Sequence, residues 1–292
     1  MHKNSIKDKI GMILFLAPAL LVFTAFFIYP VGFLIVTSFT KWDGMSAPEF
    51  IGFANYTKLF ADKIFHASII NNLGWVFAGG FIQVPLAVLV AIILSKKPKG
   101  WKFLRTVYYF PNVVSVVAMS MMWMAIYNSE YGVLNALLKL MGLEGASRNW
   151  LGDLKTAYPA VLLYGVFYIG YFMIIILADI SSIPKTYYEA AEIDGATKLK
   201  QDMYITLPLI KGSIATCMTL AMVYGLRQFE QTFIMTNGGP ANKTTVMVLY
   251  LYKKINDFQY GIANASGVIL LILGVFVISA VKKLINAQSY EM

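Results

Sequence analysis

Five stretches of this chain run for more than about 20 residues without a charged side chain, the length an α-helix needs to cross the ~30 Å hydrocarbon core of a bilayer. They are residues 10–40, 71–95, 106–129, 156–178 and 258–281. A sixth, 207–226, is interrupted only by Lys211 near its start, where a long side chain snorkels to the headgroups. Backbone amides without partners are costly in hydrocarbon, so segments of this kind must be helical. The composition agrees, with 58% hydrophobic and only 13% charged residues among 292, well outside the soluble range. The expected fold is all-α, with six transmembrane helices: one peripheral helix, then a five-helix core from about Ala67 to Lys283.

Six spans leave both termini on one side, and basic residues in short loops select the cytoplasmic side. Lys96, Lys97, Lys99, Lys102 and Arg105 crowd one such loop. This places that loop inside, together with the N-terminus, the polar segment 185–208 and Lys282-Lys283. Segments 41–70, 130–155 and 227–257 then face outward. Lys3, Lys7 and Lys9 resemble the front of a signal peptide, but the run behind them is too long and lacks a small-residue cleavage site. An uncleaved first helix is expected, with Pro18 and Pro30 kinking it or marking its ends. The chain divides into residues 1–66 (N-terminus, first helix and first outer loop), a core at 67–286 that includes the 185–208 loop, and a tail at 287–292. The formal charge of +9 reads as topology and contact with anionic lipid, since no basic-aromatic module for nucleic acid is present.

Chemistry-bearing constellations are scarce. Cys217 stands alone in an apolar span, so no internal disulfide forms, and His2 and His66 have no carboxylate or thiol at metal-ligand spacing. No metal site is expected. A phosphate loop of the form G-x-x-x-x-G-K-[ST] is absent, the nearest fragment being Gly238 to Thr244, which lacks the glycine before lysine. No G-x-S-x-G elbow appears either. The chain is expected to be no enzyme and to draw energy from another subunit.

Between the apolar runs lies one polar island, Tyr188-Glu189-Ala190-Ala191-Glu192-Ile193-Asp194-Gly195-Ala196, followed by Ile205-Thr206-Leu207-Pro208. Small residues and carboxylates on one helical face suit docking into a cleft, and Gly195 permits a sharp turn. This segment resembles the EAA loop of ABC importer permeases, by which a membrane subunit grips its ATPase. Further pieces resemble the carbohydrate (maltose-type) branch: Ala17-Pro18-Ala19, Gly52-Phe53-Ala54-Asn55-Tyr56, Phe110-Pro111 and Thr236-Asn237-Gly238-Gly239-Pro240. The last reads structurally as a turn leaving a helix. Two positions depart from the pattern: Asp202 stands where an aromatic is usual, and Gly212 where a proline often follows Leu-Pro.

The resemblance implies a transporter subunit that works by alternating access. Its implied partners are a second, different permease subunit, two ATP-binding subunits that hold ATP and Mg, an extracytoplasmic sugar-binding protein and a carbohydrate substrate, in a prokaryotic cell membrane. This chain itself would bind no cofactor. For ATPase coupling, the resemblance singles out Tyr188, Glu189, Ala190, Ala191, Ile193, Asp194, Gly195 and Ala196, with Glu189 as the ion-pair donor to a basic residue of the ATPase. For the substrate pathway it points to Asn112, Tyr164, Tyr168, Tyr171, Tyr224 and Gln228. Tyr164, Tyr168 and Tyr171 share one helix face by spacing, which serves sugar contact or plain packing. Asn112 either faces the pathway or caps a helix, and Arg227 and Glu230 either line an outer gate or pair. The competing readings are a permease for a non-sugar solute and a proton- or sodium-driven secondary transporter, the latter lacking intramembrane carboxylates in the five clear runs.

Overall fold

The computed structural model describes residues 6–285; His2, Lys3 and the 287–292 tail lie outside the described residues. Four continuous helical runs are long and apolar enough to cross a membrane: Ile13–Ser38, Lys63–Ser95, Ala157–Ser182 and Tyr260–Val281. Two more candidates are bent. Trp101–Asn112 meets Val116–Ile126 at 101°, and Lys198–Leu209 meets Lys211–Leu226 at 67°. Counting each bent pair as one span gives six. The uncharged run at 106–129 is broken beyond Phe110-Pro111: Pro111 supplies no N–H to the ladder, and Ser115 restarts the helix by accepting the Ala118 amide at 3.2 Å. Lys211 falls at the first position of its helix, the end from which it reaches the headgroups.

Proline also explains three wide π-helical turns, Thr24–Ile28, Gly79–Gln83 and Asp202–Thr206. Pro30, Pro85 and Pro208 each follow two residues behind one of them. The residue four before each proline, Phe26, Phe81 or Tyr204, is the centre of its turn. A proline ring collides with that carbonyl in a regular helix, and widening the turn relieves the collision without ending the helix.

The chain forms two compact units. One contains residues up to Asp62 with Leu251–Ile269. In it the most apolar stretch of Ile13–Ser38 has no residue buried within the chain, as befits a lipid-facing helix. A short antiparallel hairpin pairs Thr40 with Phe50 and Lys41 with Glu49, a small addition to the all-α plan. Asn55 of the Gly52 to Tyr56 motif is buried and donates to the Ser38 and Thr40 carbonyls, both at 2.8 Å. The motif thus fastens the loop to the end of the first helix.

The other unit is Lys63–Tyr250 with the residues from Leu270 onward. Val84–Ser95 packs against Gly170–Ser182, burying Val84, Ala87, Ala91 and Leu94 against Phe172, Met173 and Ile176. Elsewhere helices approach through glycine, as membrane interfaces favour. A Cβ on Gly79 would lie 2.8 Å from the Ala221 carbonyl oxygen, one on Gly225 2.8 Å from the Trp75 backbone, and one on Gly165 2.1 Å from the Trp75 ring. The Thr236 to Pro240 segment is a turn leaving the Glu230–Thr236 helix. Its Gly239 carbonyl accepts Thr244 Oγ1 at 2.9 Å.

Gly165→Ala drives a methyl into the buried Trp75 ring, an overpacking that typically costs about 1–3 kcal/mol. Thermal unfolding of the purified complex carrying this variant is expected at a lower midpoint than wild type; an unchanged midpoint contradicts the packing described.

Candidate functional site

Three helix interruptions meet at one cavity of about 430 Å³. The break after Phe110 contributes Asn112 and Val114, the break between Val166 and Gly170 contributes Tyr168 and the adjacent Tyr171, and the end of Lys211–Leu226 contributes Tyr224 and Arg227. Gln83, at the end of a π-turn, completes the wall. Irregular backbone at membrane depth persists only where protein buries it or where it lines an aqueous cavity.

The freed backbone groups are served by one helix face. Asn72, Trp75, Gly79 and Gln83 recur at spacings of three and four. Buried Asn72 donates to the Gly225 and Leu226 carbonyls at 3.1 and 3.0 Å, the end of the helix that carries Tyr224, and accepts the Met247 amide at 2.6 Å. Gln83 donates to the Gly165 and Tyr168 carbonyls at 3.1 and 2.9 Å, at the break that carries Tyr168. One position over, Asn71 donates to the Lys243 and Thr245 carbonyls at 2.9 and 2.8 Å. Apolar periodicity, the signal that marks this span, does not distinguish these amides from ordinary lipid-facing polar residues, and none was among the expected site residues.

Of the six expected pathway residues, Asn112, Tyr168, Tyr171 and Tyr224 line the cavity. Tyr224 is steadied by buried Gln231, whose Nε2 donates to its hydroxyl at 3.0 Å. Tyr164 sits behind the wall, fully buried, with its hydroxyl 3.1 Å from that of Tyr168. Gln228 is buried as well and lines a separate small void. The expected single tyrosine face is therefore split by the break between Val166 and Gly170. The capping role weighed for Asn112 belongs to Ser115, and Asn112 Nδ2 is buried without a hydrogen-bond partner among the described residues. Arg227 and Glu230 form no ion pair with each other; Arg227 lines the cavity.

The expected coupling residues form a helical hairpin. Lys185–Ile193 ends in a Schellman turn: the Ala196 amide donates to the Ala191 carbonyl at 2.8 Å and the Gly195 amide to the Glu192 carbonyl at 3.0 Å, with Gly195 at φ +75°. Thr197 then caps the next helix at the Lys200 amide. Lys198 pairs with Glu192 and, by hydrogen bond and charge, holds its carboxyl below the ordinary value. Two contacts tie the hairpin to its base, Tyr188 hydroxyl to Thr206 hydroxyl at 3.0 Å and the Lys96–Asp202 ion pair. That pair accounts for the carboxylate at 202. Glu189, Ala190, Asp194 and Gly195 are exposed, as are the large apolar side chains of Ile193 (87%), Tyr204 (76%) and Leu199 (68%). Apolar exposure of this kind suits contact with a protein or with a membrane.

The chain belongs to the family of binding-protein-dependent transport system inner membrane components, whose model matches residues 83–288. It is thus a multi-pass permease component of an ABC transporter, a component that is not itself catalytic. It is 34% identical over 272 residues to the probable ABC transporter permease protein YurN of Bacillus subtilis, covering 91% of this chain and 93% of that one. Similarity is 31% over 290 residues to the sulfoquinovosyl glycerol transport system permease protein SmoG of Agrobacterium fabrum, with 96% and 92% covered. The trehalose/maltose transport system permease protein MalF of Thermococcus litoralis is also 31% identical, over 91% of this chain and 90% of its own. The fold matches a chain of a bacterial ABC transporter involved in the import of the acidic polysaccharide alginate, with a TM-score of 0.82 over 97% of this chain and 98% of that one at 23% identity.

Gln83→Leu leaves the Tyr168 carbonyl without its donor and the Gly165 carbonyl with only the Tyr168 amide at 3.1 Å, at about 1–3 kcal/mol for a buried group so stranded. Uptake per assembled complex is expected to fall along with the unfolding midpoint, and wild-type values for both contradict the capping role. Gly195→Val forces a β-branched residue into the left-handed region, where even an ordinary side chain costs about 1–2 kcal/mol. Loss of ATPase association with membrane insertion intact is the expected result in a pull-down.

Proposed function

We propose that this chain is one of two permease subunits of an ATP-driven sugar importer and that the cavity walled by the three helix breaks is its part of the translocation pathway. The convergence of those breaks on Asn112, Tyr168, Tyr171 and Tyr224 is the observation that carries the reading. Aromatic rings stack on sugar faces, while the tyrosine hydroxyls and the Asn112 side chain answer sugar hydroxyls. Tyr164 supports Tyr168 from behind. Relatives named for trehalose/maltose and sulfoquinovosyl glycerol transport favour a saccharide over other solutes.

In this reading the chain crosses the membrane six times with both termini in the cytoplasm. A sugar-binding protein delivers substrate from outside, a second and different permease subunit completes the pathway, and two ATP-binding subunits hydrolyse ATP with Mg. The hairpin transmits their closure. Its Schellman turn gives it a fixed shape, Glu189 offers an exposed carboxylate to a basic residue of the ATPase, and Ala190, Ala191 and Ala196 allow close approach. Ile193 supplies an apolar anchor of the type that dominates binding energy at interfaces. Alternating access follows if the hairpin moves as one body with the helices that carry Tyr171 and Tyr224.

Glu189→Lys is expected to abolish sugar-stimulated ATP hydrolysis in the assembled complex and to weaken ATPase association; unchanged transport and association would sink the hairpin's role. Replacing Tyr168, Tyr171 or Tyr224 with Ala is expected to lower uptake per assembled complex about tenfold, the factor that ~1.4 kcal/mol of lost stacking and hydrogen bonding represents. Basal ATP hydrolysis stays. Normal uptake in all three variants removes the cavity from the pathway.

A further inference from the structure

Behind the cavity wall lies a second, far smaller void of about 10 Å³, and its lining is unusual. Trp75, Gly79 and Gln83 of the amide-bearing face meet Gly165, Gly225 and Gln228 there. Glycines build the space: a side chain on Gly165, Gly79 or Gly225 would collide with the opposing helix. Two polar atoms of the lining residues have no hydrogen-bond partner among the described residues. Trp75 Nε1 is a donor only, Gln228 Oε1 an acceptor only, and the two residues are 5% and 2% exposed.

Buried polar groups are almost always hydrogen-bonded, and each orphan costs about the desolvation of the group. The residues that line this void include one with an orphan donor and one with an orphan acceptor, and together these define the ligand chemistry: a group that accepts from the indole and donates to the amide. Amides, imidazoles and hydroxyls all do both, but the volume of about 10 Å³ admits no more than one water. We infer that a single water occupies this void and bridges Trp75 Nε1 to Gln228 Oε1.

The bridge extends the series of caps along the same helix face, between Asn72 at the end of the Tyr224 helix and Gln83 at the Tyr168 break. Gln228 lies just beyond Leu226, in the turn that follows Arg227. The water therefore ties that turn to the Lys63–Ala78 helix and fixes the wall from behind, where Gln228 acts as a positioning residue. This inference stands whichever solute crosses.

Unfolding of the assembled complex tests it by sign. If the void is dry, Gln228 Oε1 is an orphan already, and near-isosteric Gln228→Met removes a penalty and raises the midpoint. With a bridging water, the same change strands both water and indole, and the midpoint falls by a few degrees. In a Trp75→Phe background, which removes the donor and separately accounts for the lost ring volume, the loss from Gln228→Met shrinks. A raised or unchanged midpoint for Gln228→Met, or full additivity with Trp75→Phe, overturns the bridge. Should neither variant assemble, a map of the wild-type complex at ordered-water resolution decides. Density within hydrogen-bond distance of both atoms, with and without saccharide, is the expected result. An empty void, or density only with saccharide, contradicts it.

Discussion

Each break in a helix that crosses hydrocarbon frees backbone groups that lipid cannot satisfy. In this protein the solution is concentrated on the second span. Asn71, Asn72 and Gln83 each donate two hydrogen bonds to carbonyls at a loop, a helix end or a helix break more than 80 residues away in sequence. Interhelical hydrogen bonds within membranes average about 0.6 kcal/mol each, so their weight lies in position as much as in energy. Remove them and the helix end beside Tyr224 and the break at Tyr168 lose the common frame that brings those two residues to one cavity.

The same helix face also carries glycine, and the combination is physically coherent. An amide side chain reaches a neighbouring backbone only when the helices lie close, and Gly79 opposite Ala221 and Gly225 opposite Trp75 allow that approach. The wide turn at Gly79–Gln83, induced by Pro85, shifts the helix face just where Gln83 must point at the Tyr168 break. Proline thus has two uses here, ending a helix at Pro111 and widening one at Pro85, and the difference lies in whether the helix resumes on the same axis.

Apolar runs made the spans legible in the sequence, and the polar island made the helical hairpin legible, because length, charge and turn chemistry are local properties. Gly195 is a clear case: its left-handed conformation follows from one residue type at the end of one helix. The tyrosine face was only half legible. Spacing puts Tyr164, Tyr168 and Tyr171 in line on a continuous helix, but the break between Val166 and Gly170 turns Tyr164 inward. Nothing local marks that break as Pro111 marks its own; it persists because Gln83, 82 residues before Gly165, satisfies it. Gln83 and Gln231 escaped the sequence for the same reason, since a polar residue in an apolar run does not announce its partner. One signal was available: Asn72, Trp75, Gly79 and Gln83 fall on one face, a polar and small stripe that suits helix contact more than lipid.

The central claim is that the solute passes against the broken backbone itself. A structure of the assembled transporter trapped with its saccharide, at a resolution that orients sugar rings, tests this most directly. The account predicts a ring within contact of Tyr168, Tyr171 or Tyr224 and a sugar hydroxyl within hydrogen-bond distance of Asn112. A saccharide held elsewhere in this chain, with side chains of continuous helix packed across those four residues, contradicts it.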